Sequence, residues 1–218
     1  MPRELKSDRK GPGNASRIVV FLHGYGADGA DLLSLSDVLG PYLPDTAFYA
    51  PDAPERCAGN PFGRQWFPIP WMDGSTQEQA RDSMAQSAGD IDTFLDKVIA
   101  DEGITSRELA IIGFSQGTMM ALHVLPRRAD PVAAIIGFSG RLLDPARLRT
   151  EVQSRPPVLL LHGDADPVVP FADLDKAVTA LKGTEFNVQH FVMEGTGHGI
   201  SQDGLQAALL FLQEQFAN

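Results

Sequence analysis

Gly113-Phe114-Ser115-Gln116-Gly117 follows directly on the apolar run Leu109-Ala110-Ile111-Ile112. An apolar strand that ends in G-x-S-x-G and enters a helix leaves the backbone little choice. The chain passes from strand to helix in one tight turn, so a side chain two residues either side of the serine would collide with neighbouring backbone. The serine is held in a strained conformation, and its hydroxyl stands exposed above the sheet edge. The helix behind it points its positive N-terminal end at that hydroxyl. Such a turn is a nucleophile elbow, and it requires a strand before it and a helix after it.

The rest of the chain repeats that rhythm. Residues 1–16 are polar and read as an irregular lead-in. Strands are predicted over 17–23, 46–50, 109–112, 132–138, 158–161 and 186–193. Helices are predicted over 31–43, 75–104, 116–125, 142–152, 172–181 and 205–216. The longest opens on Ser75, with Glu78 completing a capping box, and stops at Gly103. The strands are short apolar runs without alternation, as in strands buried on both faces. Strands and helices in alternation imply one α/β domain over 17–218, with a mostly parallel central sheet and helices on both faces. Residues 51–74 hold both tryptophans and many prolines, and read as a long functional loop.

Composition narrows the partners. The chain has 218 residues, 43% hydrophobic, enough for one sizeable core. Its net charge of −10 repels phosphate backbones and anionic headgroups, so no nucleic acid or membrane-surface partner is expected. The apolar runs are far shorter than the ~20 residues of a spanning helix, so no membrane insertion is expected. Cys57 is the single cysteine, which excludes an intramolecular disulfide and a cysteine-rich zinc site. A free thiol, and an opening Met1-Pro2-Arg3-Glu4-Leu5-Lys6 without the apolar core of a signal peptide, point to the cytoplasm.

A serine hydroxyl needs a base to take its proton, and the base needs an acid to hold its tautomer. On α/β-hydrolase sheets these follow in the order Ser, acid, His. After Ser115 come His162-Gly163-Asp164-Ala165-Asp166-Pro167 and then Gly195-Thr196-Gly197-His198-Gly199. All three lie on loops at the carboxyl edge of the predicted sheet, where open α/β folds build sites. Of five histidines, only His198 sits on a small glycine-flanked loop after the last strand. His23 suits loop structuring, His123 a packed helix position, and His190 lies within a strand. The acid is Asp164 or Asp166. An aspartate beside glycine commonly binds local backbone amides, which suits Asp164; Asp166 projects further toward the His198 loop. The oxyanion donors are expected at the Gln116 amide and in the loop His23-Gly24-Tyr25-Gly26, whose glycines allow close backbone approach.

Four blocks, Phe21-Leu22-His23-Gly24-Tyr25-Gly26, Gly113-Phe114-Ser115-Gln116-Gly117, His162-Gly163-Asp164-Ala165-Asp166-Pro167-Val168-Val169-Pro170 and Gly197-His198, resemble the phospholipase/carboxylesterase family, which includes acyl-protein thioesterases. The resemblance runs from about Arg17 to the C-terminus. It implies an α/β-hydrolase fold without a large lid, and hydrolysis of short to medium acyl esters with no metal or cofactor. It implies nucleophile Ser115, acid Asp166, base His198, and oxyanion amides at Tyr25 and Gln116. Two positions depart from the family pattern. Thr118 stands where a second glycine is common, and Pro68 follows Trp66-Phe67 where Asp is common.

The segment 56–74 is the expected rim of the acyl site, with Phe62, Trp66, Phe67, Trp71 and Met72 as candidate liners and Val169 as a further one. The expected partner is a small-molecule ester, and the chain is expected to be a monomer or homodimer. A thioesterase acting on S-acylated proteins would use the same residues. A non-catalytic binding protein on this fold would usually lack a member of the Ser–His–acid set, and here all three are present.

Overall fold

The computed structural model describes residues 1–58 and 60–217; Gly59, in the expected rim segment, and Asn218, the last residue of the expected domain, lie outside them. Along the chain run β1 (Ser7–Lys10), β2 (Arg17–Leu22), α1 (Gly29–Leu33), α2 (Ser36–Leu39), β3 (Thr46–Pro51), β4 (Glu55–Cys57), β5 (Asn60–Gln65), α3 (Pro70–Asp73) and α4 (Gln77–Glu102). Then come β6 (Leu109–Phe114), α5 (Gln116–Val124), β7 (Ala134–Phe138), α6 (Pro145–Glu151), β8 (Val158–Gly163), α7 (Ala172–Lys182), β9 (Val188–Met193) and α8 (Gln202–Ala217). Seven strands form one sheet in the order β1-β3-β2-β6-β7-β8-β9. Among the described residues of this sheet, only the β1–β3 pair is antiparallel.

The strands alternate, but both sets of side chains are apolar. Ile18, Val20 and Leu22 of β2 face one way with Ile111, Leu160 and the buried faces of α4, α5 and α7. Val19 and Phe21 face the other way with Ile112, Leu161 and residues of α1, α2 and α8. This is why no period-2 hydropathy marks these strands: each face has its own helical layer. A fully buried Ile or Leu in such a layer contributes about 2 kcal/mol. Among the described residues no helix is long and apolar enough to cross a membrane, and no insertion builds a lid.

Four expectations need correction. Residues 1–16 are not wholly irregular: Ser7–Lys10 pairs with β3 as an edge strand. Its side chains are polar, so it carries no apolar signal, and it is held by Arg9 on Glu102 at 2.7 Å and Lys10 on Asp37. The 31–43 helix is broken into α1, α2 and a short 3-10 turn. The Ser34 and Ser36 hydroxyls donate to the carbonyls of Asp31 and Leu33 and compete with the helical ladder. The cap of α4 is Thr76 with Gln79, one residue beyond Ser75 and Glu78, because Ser75 donates its amide to Asp73. The 51–74 segment carries a hairpin, β4–β5, and the short α3 rather than lacking structure.

Arg3 ties the polar opening stretch to the core. Its backbone amide and Nε–H donate to the two carboxylate oxygens of Asp90 on α4, which is fully buried. Removing one member of such a pair strands the other. We expect Arg3→Ala to lower unfolding free energy by about 2–3 kcal/mol, while adding Asp90→Leu to it restores part of the loss; equal midpoints for wild type and Arg3→Ala in urea would overturn this.

His123, expected as a packed helix residue, is buried on α5 with its Nδ1 unpartnered. Burial, reinforced by Arg127, lowers its pKa from 6.5 to about 4. The unfolded chain therefore takes up a proton as pH falls below 6.5, before the folded chain does. Stability contributed by the neutral ring is complete above pH 6.5 and declines toward pH 4, by about 3 kcal/mol in all. His123→Leu should flatten that decline, leaving the parts due to His23, which burial also lowers, and to carboxylates held below their ordinary range such as Glu102 and Asp166. Urea midpoints at pH 7 and 4.5 that shift equally in both proteins would contradict it.

Candidate active site

Ser115 sits between β6 and α5 with φ 52° and ψ −112°, a strained conformation for a residue with a side chain. Its amide donates to the Phe138 carbonyl at 2.8 Å, and its carbonyl accepts from Met119 in the first helical turn. The two glycines of the motif are needed for space. A Cβ on Gly117 would lie 1.8 Å from the Leu22 carbonyl oxygen, and one on Gly113 would lie 2.5 Å from the Thr118 amide nitrogen. Thr118, the departure from the family pattern, fills the space behind the turn. Its hydroxyl lies 2.8 Å from the carbonyls of both Gly113 and Phe138, and its methyl occupies room left by Gly137 and Gly140.

The three selected side chains meet. The Ser115 hydroxyl is 3.0 Å from His198 Nε2, and His198 Nδ1 is 2.8 Å from Asp166 Oδ2. The second Asp166 oxygen accepts from the amides of Val168 and Val169 at 2.8 and 2.9 Å. Burial alone would push this carboxyl up, but the hydrogen bonds from His198, Val169 and Val168 outweigh it and hold Asp166 below the usual carboxylate range. It is an acceptor on both oxygens, so His198 carries its proton on Nδ1 and turns the Nε2 lone pair to Ser115. The His198 ring also packs against Phe114, with centroids 5.0 Å apart.

Asp164 takes the other role allowed to it. Its Oδ1 accepts from the Gly195 amide at 2.7 Å and binds the acid loop to the histidine loop. The two loops are pressed together, since a Cβ on Gly163 would lie 2.2 Å from the Thr196 carbonyl oxygen. His162 is buried beneath them, 3.0 Å from the Val169 carbonyl.

The loop after β2 passes beside Ser115: a Cβ on Gly24 would lie 3.3 Å from the serine Cβ. The β4–β5 hairpin clamps that loop. The Gly26 amide donates to the Arg64 carbonyl at 2.8 Å and the Arg64 amide to the Ala27 carbonyl at 2.9 Å. The Tyr25 phenol contacts Cys57; burial first, and this contact next, raise its pKa to about 12. The phenol is thus neutral at working pH.

The expected rim residues separate. Trp66 is not a liner: it is fully buried. Its indole N–H donates to the His23 carbonyl at 2.9 Å, and its amide to Gln116 Oε1 at 2.8 Å. Val169 is also buried and serves Asp166 through its backbone. Phe62 (87% exposed), Trp71 (77%) and Met72 (59%) stand out into solvent. Phe67 is half-buried, and its carbonyl accepts from Gln116 Nε2 at 2.7 Å. Sequence reasoning missed the hydrogen-bonding use of Trp66 and of the Gln116 side chain. No local pattern around either residue signals it, since their partners lie far away in the chain.

The family model described as Phospholipase/Carboxylesterase matches residues 9–216. Among solved structures, the esterase PE8 superposes with a TM-score of 0.91 and 40% identity, covering 97% of this chain and 99% of that one. The esterase YpfH of Escherichia coli is 27% identical, over 89% of this chain and 81% of the relative. Acyl-protein thioesterase 1 of Saccharomyces cerevisiae is 27% identical, over 94% and 95%. With a match running through nearly every element of the sheet and its helices, the chain belongs to the phospholipase/carboxylesterase family.

Proposed function

We propose that the protein is a serine carboxylesterase that hydrolyses short- to medium-chain esters through an acyl-enzyme on Ser115. The observation that carries this is the unbroken hydrogen-bonded line from the Ser115 hydroxyl through His198 to Asp166. In the first half-reaction His198 Nε2 takes the hydroxyl proton as Oγ attacks the acyl carbon. The same nitrogen then gives that proton to the leaving alcohol. In the second half-reaction water replaces the serine, with the same proton path. Asp166 stays ionised and holds the ring. The developing oxyanion lies toward the Tyr25 and Gln116 amides.

The substrate reading rests on exposure. With no lid among the described residues, Ser115, itself 8% exposed at the head of α5, is reachable by a small soluble ester. Phe62, Phe67, Trp71 and Met72 offer apolar surface for the acyl chain at the hairpin side of the site. A thioesterase reading is favoured by the likeness to acyl-protein thioesterase 1 along almost the whole chain. The same residues would serve it, since only the leaving atom differs.

Ser115→Ala and Asp166→Asn should each lower kcat on p-nitrophenyl butyrate by about a thousandfold or more, with fluorophosphonate labelling lost in the first. Asp164→Asn should cost far less, since that carboxylate only joins two loops. A larger loss at Asp164 than at Asp166 would reverse the assignment. Matched butyryl oxyesters and thioesters decide the leaving group: a kcat/KM more than about tenfold higher for the thioester would replace the esterase reading with the thioesterase one.

A further inference from the structure

We propose that His23 and Trp66 form a buried brace that aims the oxyanion donors, a positioning role that rests on the serine-esterase reading above. The proposed donors belong to two separate segments: the loop after β2 and the first residue of α5. The sheet aligns these segments only as far as Leu22 and Gly113, the last paired residues of β2 and β6. Beyond that register the elbow fixes the Gln116 amide, and another interaction must set the loop after β2 against it.

His23 makes the shorter hold on that loop; the Ala27 amide also donates to the Gly24 carbonyl, at 3.4 Å. The Tyr25 N–H shares a planar trans peptide with the Gly24 carbonyl, so the two point in opposite directions. Anything that fixes the carbonyl fixes the N–H. The Gly24 carbonyl lies 2.7 Å from His23 Nδ1. His23 Nε2 accepts from the Ala53 amide at 2.9 Å, which requires the neutral ring with its proton on Nδ1. The ring therefore donates to Gly24. It is fully buried, and Asp28, Asp31 and Asp52 are the charged groups nearest to influence it. Burial outweighs them and keeps it neutral.

Trp66 joins the second segment to the first. Its indole N–H fixes the His23 carbonyl, and hence the preceding peptide of the same loop. Its backbone N–H holds Gln116 Oε1, while Gln116 Nε2 donates to the Phe67 carbonyl. The residue that offers the second amide is thus tied by its side chain to the residue that braces the first loop. The Trp66 carbonyl accepts from Ser87 on α4, so every polar group of Trp66 is engaged. The indole and imidazole rings also lie against each other, with centroids 5.4 Å apart.

Such a brace acts on the tetrahedral state and leaves ground-state binding alone. Trp66→Phe keeps the ring packing and removes one N–H. It should lower kcat on p-nitrophenyl butyrate about tenfold to a hundredfold, with KM within about twofold. Affinity for a boronic acid, which forms a tetrahedral adduct on the serine, should fall by the same factor as kcat/KM. Binding of butyrate, the planar product, should not change.

His23→Leu should behave like Trp66→Phe. His23→Asn, whose amide nitrogen can reach the place of Nδ1, should recover most of the loss. Gln116→Met provides a second cut if Trp66→Phe does not fold. The brace is overturned if folded Trp66→Phe or Gln116→Met keeps kcat within about twofold of wild type, or loses kcat while boronate affinity stays constant. It is equally overturned if His23→Asn is no better than His23→Leu. Absence of ester hydrolysis by the wild-type protein would be a different outcome, removing the esterase reading and the brace with it.

Discussion

The contact on which the site depends is the approach of α5 to the end of β2. The missing Cβ of Gly117 leaves room for the Leu22 carbonyl, which would otherwise lie 1.8 Å away. A single methyl group there would push the helix off the sheet, and with it the serine at its head. Gly113 makes the same concession on the other side of the turn. Between them Ser115 is held at a positive φ, and the turn has no freedom to relax. Thr118 closes the space behind it, against Gly137 and Gly140. The strain is sustained by packing from both sides, as expected of a site whose geometry must not drift.

Hydrogen-bonded imidazoles give the site its second kind of rigidity. His23 has both ring nitrogens set by backbone partners, His162 has Nε2 set by one, and His198 has both set by side chains. Each partner selects one tautomer, so the hydrogen-bond directions are fixed before any substrate arrives. His123 is the contrast. It lies on the same helix as the elbow but beyond its catalytic end, with Nδ1 unpartnered, and contributes a pH-dependent cost instead of a direction. Similar residues in similar burial differ in consequence because of what faces their second nitrogen.

The two-faced sheet was legible because its inner strands are short apolar runs and helical segments alternate with most of them. The elbow, the acid cluster and the glycine-flanked His198 were legible because their residue types are rare in that order. The edge strand Ser7–Lys10 was not, since its pairing uses backbone groups and its side chains are polar on both sides. The hairpin in 51–74 was hidden by its prolines, which sit at its flanks and beside its turn. Trp66 was read as a pocket aromatic because an indole in a proline-rich segment looks like surface; burial and three hydrogen bonds gave it another use.

By itself, the order of residues determined the α/β layering, the place of the strained turn, and the set from which serine, base and acid could be drawn. These are local properties of hydropathy, glycine spacing and motif order. The motif already favoured Asp166 over Asp164; only tertiary structure made Asp166 a buried acceptor for His198 and Asp164 a clasp between loops. It also decided that His23, Trp66 and the Gln116 side chain would share one hydrogen-bonded network. Those outcomes depend on directions and distances between segments far apart in the chain, which no local pattern encodes.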